Sequence, residues 1–209
     1  MVFTIVGGNT RQFKLQSDNG EVIFSTARKS FLKQAKKLYV GDKVCLDEDG
    51  CIYQVMPREN LLYRPKIANV DYMCVVTSLK RPDFSSYLLD KFLTYLNFQN
   101  IKPYIVFTKS DLLSDEELEK ITNYKHYYES IGIKAIIVSA KKPDSVKPLK
   151  EIIKGNTIAF MGQTGAGKST LLNNINPNLK IKTDDISYAL GRGKHTTRHA
   201  ELFELKFGG

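Results

Sequence analysis

Gly162-Gln163-Thr164-Gly165-Ala166-Gly167-Lys168-Ser169 is the stretch that decides the fold of the second part of this 209-residue chain. The five residues before it, 157–161, form an apolar run that is typical of a buried strand. Leu171, Leu172 and Ile175 follow it with the spacing of one helix face. The sequence therefore predicts a strand, a glycine-rich loop and the start of a helix, in that order.

A glycine-rich loop between a strand and a helix is suited to holding phosphate groups. Its backbone N–H groups point inward, and the helix dipole adds partial positive charge at the same place. Lys168 is placed to reach the β- and γ-phosphates of a nucleotide, and the Ser169 hydroxyl to ligate Mg²⁺. We expect phosphate contacts from the whole run Gly162, Gln163, Thr164, Gly165, Ala166, Gly167, Lys168, Ser169 and Thr170. The alternative is a glycine-rich turn with a chance Lys-Ser, which the strand and helix around it disfavour.

Two further polar segments come directly after predicted strands. Thr108-Lys109-Ser110-Asp111 follows the apolar run 103–107, and Ser139-Ala140-Lys141 follows the run 135–138. The carboxyl ends of parallel strands share one edge of a sheet, and ligands bind at that edge. Both segments are therefore predicted to lie on the same edge as the phosphate loop.

These two segments predict guanine as the base. The two carboxylate oxygens of Asp111 match the paired N1–H and N2–H donors of guanine, which adenine lacks, although an aspartate here could also only cap a helix. The Lys109 stem can lie along the ring, and the Ala140 N–H can meet the guanine carbonyl oxygen. We expect guanine contacts from Thr108, Lys109, Ser110, Asp111, Ser139, Ala140 and Lys141, and hence GTP and GDP rather than ATP. A transporter-type ATPase would need a Leu-Ser-Gly-Gly signature, which the sequence lacks.

Residues 63–209 predict an α/β domain with a mainly parallel sheet, because long apolar strands alternate with helices. Strands are predicted at 70–77, 103–107, 135–138 and 157–161, and helices at 116–131 and 146–153. Ser114 and Glu117 form a capping box at the start of the first of these helices. Another helix is predicted from a stripe that consists of Tyr87, Leu88, Lys91, Phe92, Tyr95 and Leu96. Residues 59–65 read as the linker that precedes this domain.

Residues 1–62 predict a small β-barrel. Five short alternating runs, at 2–6, 12–15, 22–24, 43–46 and 52–55, are separated by turn residues. The size fits an OB-fold, which commonly binds oligonucleotides, or an SH3-like barrel, and the pattern does not separate the two. Basic residues beside Phe31 and Tyr39 suggest RNA contact, with an exposed cationic helix or loop as the alternative. The candidates are Arg28, Lys29, Lys33, Lys36 and Lys37.

Composition limits the classes of function. The net charge of +9 favours a polyanionic partner, nucleic acid first, although a solvated lysine-rich surface would have the same charge. No apolar run approaches the roughly 20 residues of a membrane span, and the start lacks the pattern of a signal peptide. The three cysteines, at positions 45, 51 and 74, are odd in number and fit free thiols in a reducing cytoplasm. We therefore expect a cytoplasmic protein with no membrane partner and no zinc site within this chain.

The polar segment 176–198 follows the phosphate-loop helix, where GTPases carry their first switch. It contains Gly191-Arg192-Gly193-Lys194-His195-Thr196-Thr197-Arg198. A threonine there can complete the Mg²⁺ shell when the γ-phosphate is present, and the basic residues could contact RNA phosphates or lie in a disordered loop. Residues 199–207 then alternate like an exposed or edge strand.

The order of these motifs is unusual, because the base-reading segment precedes the phosphate loop. Behind an N-terminal barrel, this order resembles the small-ribosomal-subunit biogenesis GTPase A family, whose members are circularly permuted bacterial GTPases. The resemblance covers essentially the whole chain. Besides the base-reading segment, the phosphate loop and the switch segment, it rests on Arg64-Pro65-Lys66-Ile67-Ala68-Asn69-Val70-Asp71 and on Pro82-Asp83-Phe84.

The resemblance implies an OB-fold that docks on ribosomal RNA near the decoding region. It implies late action in small-subunit maturation, with slow GTP hydrolysis that the small subunit stimulates. By position, it makes His195 the catalytic residue and Thr197 a ligand of Mg²⁺, beside Ser169. Potassium is not implied, because Gly165 stands where potassium-using relatives carry asparagine.

The chain departs from the family at its end. Family members continue into an Asp-x-Pro-Gly motif and a zinc-binding domain, whereas this sequence stops at Phe207-Gly208-Gly209. We therefore expect a fragment, with Zn²⁺ only in the part that is missing.

The sequence analysis predicts a monomeric, ribosome-stimulated GTPase that hydrolyses GTP to GDP and phosphate. An rRNA-binding assembly factor with incidental catalysis is the alternative, and a phosphate-loop ATPase or kinase is the third.

Overall fold

The structure is a computed structural model that describes residues 1–9, 11–33, 37–63, 66–139, 141–181, 202, 203 and 205. Its contacts divide the described residues into an N-terminal unit, which runs to Val70 and also contains Leu202 and Phe203, and a C-terminal unit that begins at Asp71. Of the helices in the described part of the chain, not one combines the length and the apolar character needed to span a bilayer.

The N-terminal unit contains a five-stranded antiparallel sheet with the strand order β3-β2-β1-β4-β5. Its strands are β1 (Val2–Gly8), β2 (Phe13–Ser17), β3 (Val22–Ser25), β4 (Lys43–Leu46) and β5 (Ile52–Val55), and the short helix α1 (Lys29–Lys33) lies between β3 and β4. Beyond β3, Ala27 makes a parallel bridge to Ile52 of β5, and Ile52 N donates to Thr26 O at 2.8 Å. This contact closes the sheet into a five-stranded barrel of the OB type, which settles the choice that the sequence left open.

The barrel core comes from the alternation of the strands. Ile5 lies opposite Leu15, and Phe3 lies opposite Val44, so the inward side chains of neighbouring strands meet. The buried residues of this core are Phe3, Ile5, Phe13, Leu15, Val44 and Ile52. All five predicted strands are confirmed, because a period of two places each side chain on a definite face.

A hairpin replaces the predicted linker. Strands β6 (Leu61–Tyr63) and β7 (Lys66–Ala68) pair with each other, and Ile67 makes a parallel bridge to Val40. Ala68 N donates to Val40 O at 2.9 Å, which ties the hairpin to the N-terminal unit. The boundary that the sequence analysis places between residues 62 and 63 falls inside this hairpin, whereas the structure divides the chain after Val70.

The C-terminal unit is built on a parallel sheet with the strand order β10-β9-β8-β11. The strands are β8 (Tyr72–Ser78), β9 (Lys102–Thr108), β10 (Lys134–Ile137) and β11 (Ile158–Gly162). The last strand pairs with the first, so that Gly162 lies beside Val76. The carboxyl ends of all four strands therefore meet at one edge, and the strand order reverses between β8 and β11, which is where such sheets bind ligands.

Four α-helices lie in the same unit, namely α2 (Ser86–Phe98), α3 (Asp115–Ser130), α4 (Lys147–Ile153) and α5 (Lys168–Ile175). The predicted capping box is present, because Glu117 N donates to Ser114 Oγ and Ser114 N donates to the Glu117 carboxylate. The predicted face of α2 is wrong in part. The buried residues of that helix are Leu89, Leu93 and Leu96, whereas Tyr87 is exposed, because packing on the sheet selects a neighbouring stripe.

Candidate functional site

Three glycines shape the loop between β11 and α5. A Cβ on Gly162 would lie 2.0 Å from the carbonyl oxygen of Val76 in the neighbouring strand, so the close approach of the two strands requires glycine. Gly165 and Gly167 have positive φ angles of 77° and 88°, which L side chains rarely adopt. Gly162 has a positive φ as well, of 148°. The loop conformation therefore depends on a close contact at the first glycine and on backbone geometry at all three.

Lys168 and Ser169 begin α5 and are both buried. The Lys168 ammonium donates to the carbonyl oxygens of Gly162, at 2.9 Å, and Gln163, at 2.6 Å. Burial lowers the pKa of Lys168 below its ordinary value, since a charged amine loses hydration inside the protein. The arrangement places a cation and the N-terminal N–H groups of a helix at one point, which is the chemistry that an anionic ligand requires.

Thr108 connects the phosphate loop to the predicted base-reading segment. Its hydroxyl lies 2.7 Å from the carbonyl oxygen of Ala166 and 3.2 Å from that of Thr77, and it can donate to either. Thr108 and Ala166 are buried, so the contact is shielded from water. It fixes the end of β9 against the loop that follows β11, and so brings the two predicted segments together.

Asp111 lies between the ends of β9 and β10. Its Oδ1 accepts a hydrogen bond from Ser139 Oγ at 3.0 Å, and Lys141 Nζ lies 3.8 Å from its Oδ2. The Ser139 Oγ in turn accepts from Lys141 N at 3.1 Å, and Ser110 Oγ donates to Val138 O at 3.1 Å. Two segments that are 28 residues apart in sequence thus form one hydrogen-bonded edge around a carboxylate.

Lys109 reveals a part of the site that the sequence analysis missed. It has a positive φ of 63°, and its ammonium donates to the carbonyl oxygen of Arg81, in the loop after β8. Burial and the charge of Arg81 lower the pKa of Lys109, while Asp111 acts in the opposite direction. Pro82, which follows Arg81, lies near Gly165, with a Cδ 3.5 Å from the place of a Cβ there. The sequence analysis counted Pro82-Asp83-Phe84 towards the family resemblance but gave this segment no role in the site.

Several predicted site residues lie outside the described residues. They are Ala140, Lys36, His195 and Thr197, together with the basic switch residues Arg192, Lys194 and Arg198. Of Lys33, only the backbone is described. Of the predicted strand 199–207, the structure describes Leu202, Phe203 and Leu205, and Leu202 N donates to Val6 O of β1 at 2.8 Å.

The structure describes three side chains of the basic group predicted in the barrel, those of Arg28, Lys29 and Lys37. The Arg28 guanidinium is bonded to Asp47 and lies 3.0 Å from a carboxylate oxygen of Asp49. Phe31 is buried in the N-terminal unit, so its ring is not available for stacking. Lys29 and Lys37 are exposed. Charge spacing alone did not reveal that two carboxylates of a nearby turn form ion pairs with Arg28, which is itself exposed.

No group of three or more His, Cys, Asp or Glu side chains that could hold a metal ion occurs among the residues that the structure describes. The hydroxyl of Ser169, at the start of α5, is the metal ligand that the sequence analysis predicts at the loop.

Comparison with known proteins identifies the family. Residues 55–209 match the sequence model of a protein family that is described as RsgA GTPase. The chain belongs to this family. The resemblance inferred from the motif order is confirmed.

Curated relatives and solved structures give the extent of the likeness. The small ribosomal subunit biogenesis GTPase RsgA of Enterococcus faecalis is 42% identical over 194 residues, which cover 91% of this chain and 65% of the relative. RsgA 1 of Listeria monocytogenes is 46% identical over 193 residues, which cover 90% and 66%. The chain thus spans slightly less than two thirds of the length of these relatives.

The structure of YjeQ from Thermotoga maritima matches with a TM-score of 0.84 and 34% identity, covering all of this chain and 72% of that one. YloQ, described as a circularly permuted GTPase, matches with a TM-score of 0.75 and 32% identity, covering 85% and 64%. The predicted α/β class, with a barrel and a permuted phosphate-loop domain, is confirmed. The strand order explains the permutation, since β11 lies beside β8 although it comes last in sequence.

Proposed function

We propose that this protein is a GTPase that binds the small ribosomal subunit and acts late in its maturation. It hydrolyses GTP to GDP and phosphate, and the subunit stimulates this reaction. The observation that supports the proposal most directly is the bond between Thr108 and Ala166, which joins a phosphate loop to a carboxylate-bearing edge in a member of a GTPase family.

The phosphate loop would hold the β- and γ-phosphates. Its N–H groups and the dipole of α5 favour negative charge there, and Lys168 would exchange two carbonyl partners for phosphate oxygens. The phosphate charge would also offset the effect of burial on the pKa of this lysine, and so keep it protonated. The donor set fits Mg²⁺, which would bind the Ser169 hydroxyl and neutralise charge on the phosphates.

Asp111 would select guanine by accepting the N1–H and N2–H donors of the base with its two oxygens. Ser139 donates to Oδ1 and so fixes the orientation of the carboxylate before a base arrives. Lys109, which is anchored at Arg81 O, would lie along the base with its aliphatic stem.

His195 and Thr197 complete the proposal on the strength of the family resemblance. A neutral imidazole at His195 would orient the attacking water or accept its proton near pH 7. Thr197 would add a second hydroxyl ligand for Mg²⁺ when the γ-phosphate is present.

The proposed partner is the RNA of the small subunit, bound by a monomer in the cytoplasm. The names of the relatives and the net charge of +9 support a ribosomal partner. The proposed RNA contacts in the barrel are Arg28, Lys29 and Lys37, which are exposed, together with Lys33 and Lys36.

Measuring GTP turnover with and without purified small subunits tests the activity. We expect small subunits to stimulate GTP turnover, and large subunits at the same concentration to leave it unchanged. Nucleotide binding without any stimulation would instead favour an RNA-binding assembly factor.

The base assignment has its own test. Asp111→Asn should weaken GDP binding and favour xanthosine diphosphate, because an asparagine amide can donate to the second carbonyl of xanthine. Unchanged affinity for GDP in the variant would refute the assignment, and ADP binding equal to GDP binding in the unmodified chain would favour an ATPase or kinase.

A further inference from the structure

An open cleft lies in the N-terminal unit, where the chain leaves β5 and enters the hairpin strand β6. Its volume is about 690 Å³, within the range of ligand-binding sites. The lining residues are Lys37, Tyr39, Val55, Met56, Pro57, Arg58, Leu61 and Tyr63. Nothing in the proposed GTPase chemistry uses this cleft.

One wall of the cleft is held rigidly by a buried ion pair. Arg58 makes a bidentate contact with Asp42, in which Nε donates to Oδ1 at 2.6 Å and Nη2 donates to Oδ2 at 2.8 Å. Asp42 is 0% exposed. The guanidinium lies 4.8 Å from the centre of the Tyr39 ring, while Tyr39 N donates to Asp42 Oδ2 at 2.8 Å. A wall fixed in advance loses little conformational entropy when a ligand binds.

A second wall offers a free aromatic surface. The Tyr63 side chain is 58% exposed, although the backbone of its hairpin is paired. Val55, Met56 and Leu61 add apolar side chains to the lining of the cleft. A half-exposed tyrosine beside apolar side chains is the kind of platform on which unpaired bases stack.

The charge of the cleft favours an anionic chain. Lys37 lies in the lining, and Lys66 Nζ lies 5.6 Å from the centre of the Tyr39 ring. None of the lining residues is acidic, and the carboxylate of Asp42 behind the wall is already paired. A proline-rich peptide could also lie on aromatic rings, but it would not need these cations.

We propose that this cleft accepts one unstacked base of single-stranded RNA, stacked on Tyr63, with the adjoining phosphates at Lys37 and Lys66. The inference deepens the proposed function, since it rests on the small-subunit RNA as the partner. It adds a base-binding site to the phosphate contacts that charge alone suggested.

The binding of a fluorescently labelled single-stranded RNA decamer to the full chain, followed by anisotropy, tests the site. Tyr63→Ala should weaken binding about tenfold, whereas Tyr63→Phe, which keeps the ring, should bind within about twofold of the unmodified chain. Lys66→Ala should lower the slope of log affinity against log salt by about one, and Tyr63→Ala should leave that slope unchanged. Tyr87→Ala, which removes an exposed tyrosine of α2 in the C-terminal unit, is the matched control.

Two results in this assay would overturn the proposal. One is equal binding by Tyr63→Ala and the unmodified chain. The other is that a duplex of the same sequence binds as tightly as the single strand, because a paired base cannot enter the cleft.

Crosslinking on purified small subunits separates RNA from protein as the occupant. With p-benzoylphenylalanine in place of Tyr63, a crosslink to RNA is expected, and a crosslink to a ribosomal protein or none on bound subunits would contradict the proposal. Failure of the chain to bind subunits at all would refute the proposed partner instead, and the decamer experiment would still decide the chemistry of the cleft.

Discussion

Replacing Thr108 with valine tests the connection between the two halves of the nucleotide site. The substitution keeps the β-branched shape and removes the hydroxyl that lies 2.7 Å from the buried carbonyl of Ala166. Losing the hydrogen bond costs about 1 kcal/mol, and leaving its acceptor without this donor in a dry environment adds about 1 kcal/mol. We expect Thr108→Val to lower the free energy of unfolding of the C-terminal unit by about 2 kcal/mol.

Urea unfolding followed by circular dichroism at 222 nm measures this loss. In the part of the chain that the structure describes, the four helices longer than five residues lie in the C-terminal unit, so the helical signal reports mainly on that unit. The matched control is Thr122→Val, which removes a hydroxyl bonded at 2.8 Å to Leu118 O on the exposed side of α3. The control should change stability by no more than about 0.5 kcal/mol.

The reasoning about Thr108 would be refuted if both valine variants lost the same stability. It also requires a change in nucleotide affinity, because the Ala166 carbonyl belongs to the phosphate loop. GDP binding by Thr108→Val should therefore weaken at temperatures where the chain is fully folded, while Thr122→Val binds normally.

Three more changes have outcomes that follow from the structure. Gly162→Ala should prevent stable folding of the C-terminal unit, because its Cβ would lie 2.0 Å from a backbone oxygen. Gly155 has a positive φ, but a Cβ there would meet nothing within 4 Å, so Gly155→Ala should lower the free energy of unfolding in urea by only about 1 kcal/mol. Arg58→Ala should destabilise the barrel by about 3 kcal/mol, seen as faster hydrogen exchange, because it leaves Asp42 buried and unpaired. Burial raises the pKa of Tyr104 to about 12. Its contribution to stability is therefore complete below pH 10 and is lost towards pH 12, because the tyrosine ionises more easily in the unfolded chain. The urea midpoint should fall over this range, and Tyr104→Phe should reduce that fall.

Each of these has an outcome that contradicts it. Equal losses in Gly155→Ala and Gly162→Ala would show that backbone strain, rather than the contact with β8, decides the first glycine. The barrel amides should exchange faster in Arg58→Ala than in Arg28→Ala, because the ion pairs of Arg28 are exposed. Equal exchange rates in the two variants would contradict the role of the buried pair. A decline between pH 10 and 12 that is the same in Tyr104→Phe would assign the alkaline loss to other groups.

Much of the fold could be predicted because its signals are local. The alternation in residues 1–62 predicted all five barrel strands, and the spacing of Ser114 and Glu117 predicted a capping box. The apolar runs before the polar segments predicted the strands of the parallel sheet. The hairpin at 61–68 was missed, because a short segment with Arg64-Pro65 has the composition of a linker. The bridge that ties it to the barrel, between Ile67 and Val40, joins segments that are far apart in sequence.

The residue types of the site could be predicted from the sequence, but the hydrogen bonds and ion pairs between these residues could not. The sequence placed Thr108, Asp111 and Ser139 at one sheet edge, and the structure shows which atoms bond. It could not show that Arg81 O holds Lys109, that Asp47 holds Arg28, or that Phe31 is buried, since each depends on a neighbour that only folding brings near.

By itself, the sequence determined the elements, the phosphate loop and the family-like order of its motifs, because backbone preferences and periodicity act over a few residues. Only the tertiary structure decided which strands are neighbours. A period of two specifies the face of a side chain and not the partner strand, so the pairing of β8 with β11 and the closure of β3 on β5 depend on burial and hydrogen bonds between distant segments. Those pairings place Ala166 against Thr108, and they make one site from segments that the sequence keeps apart.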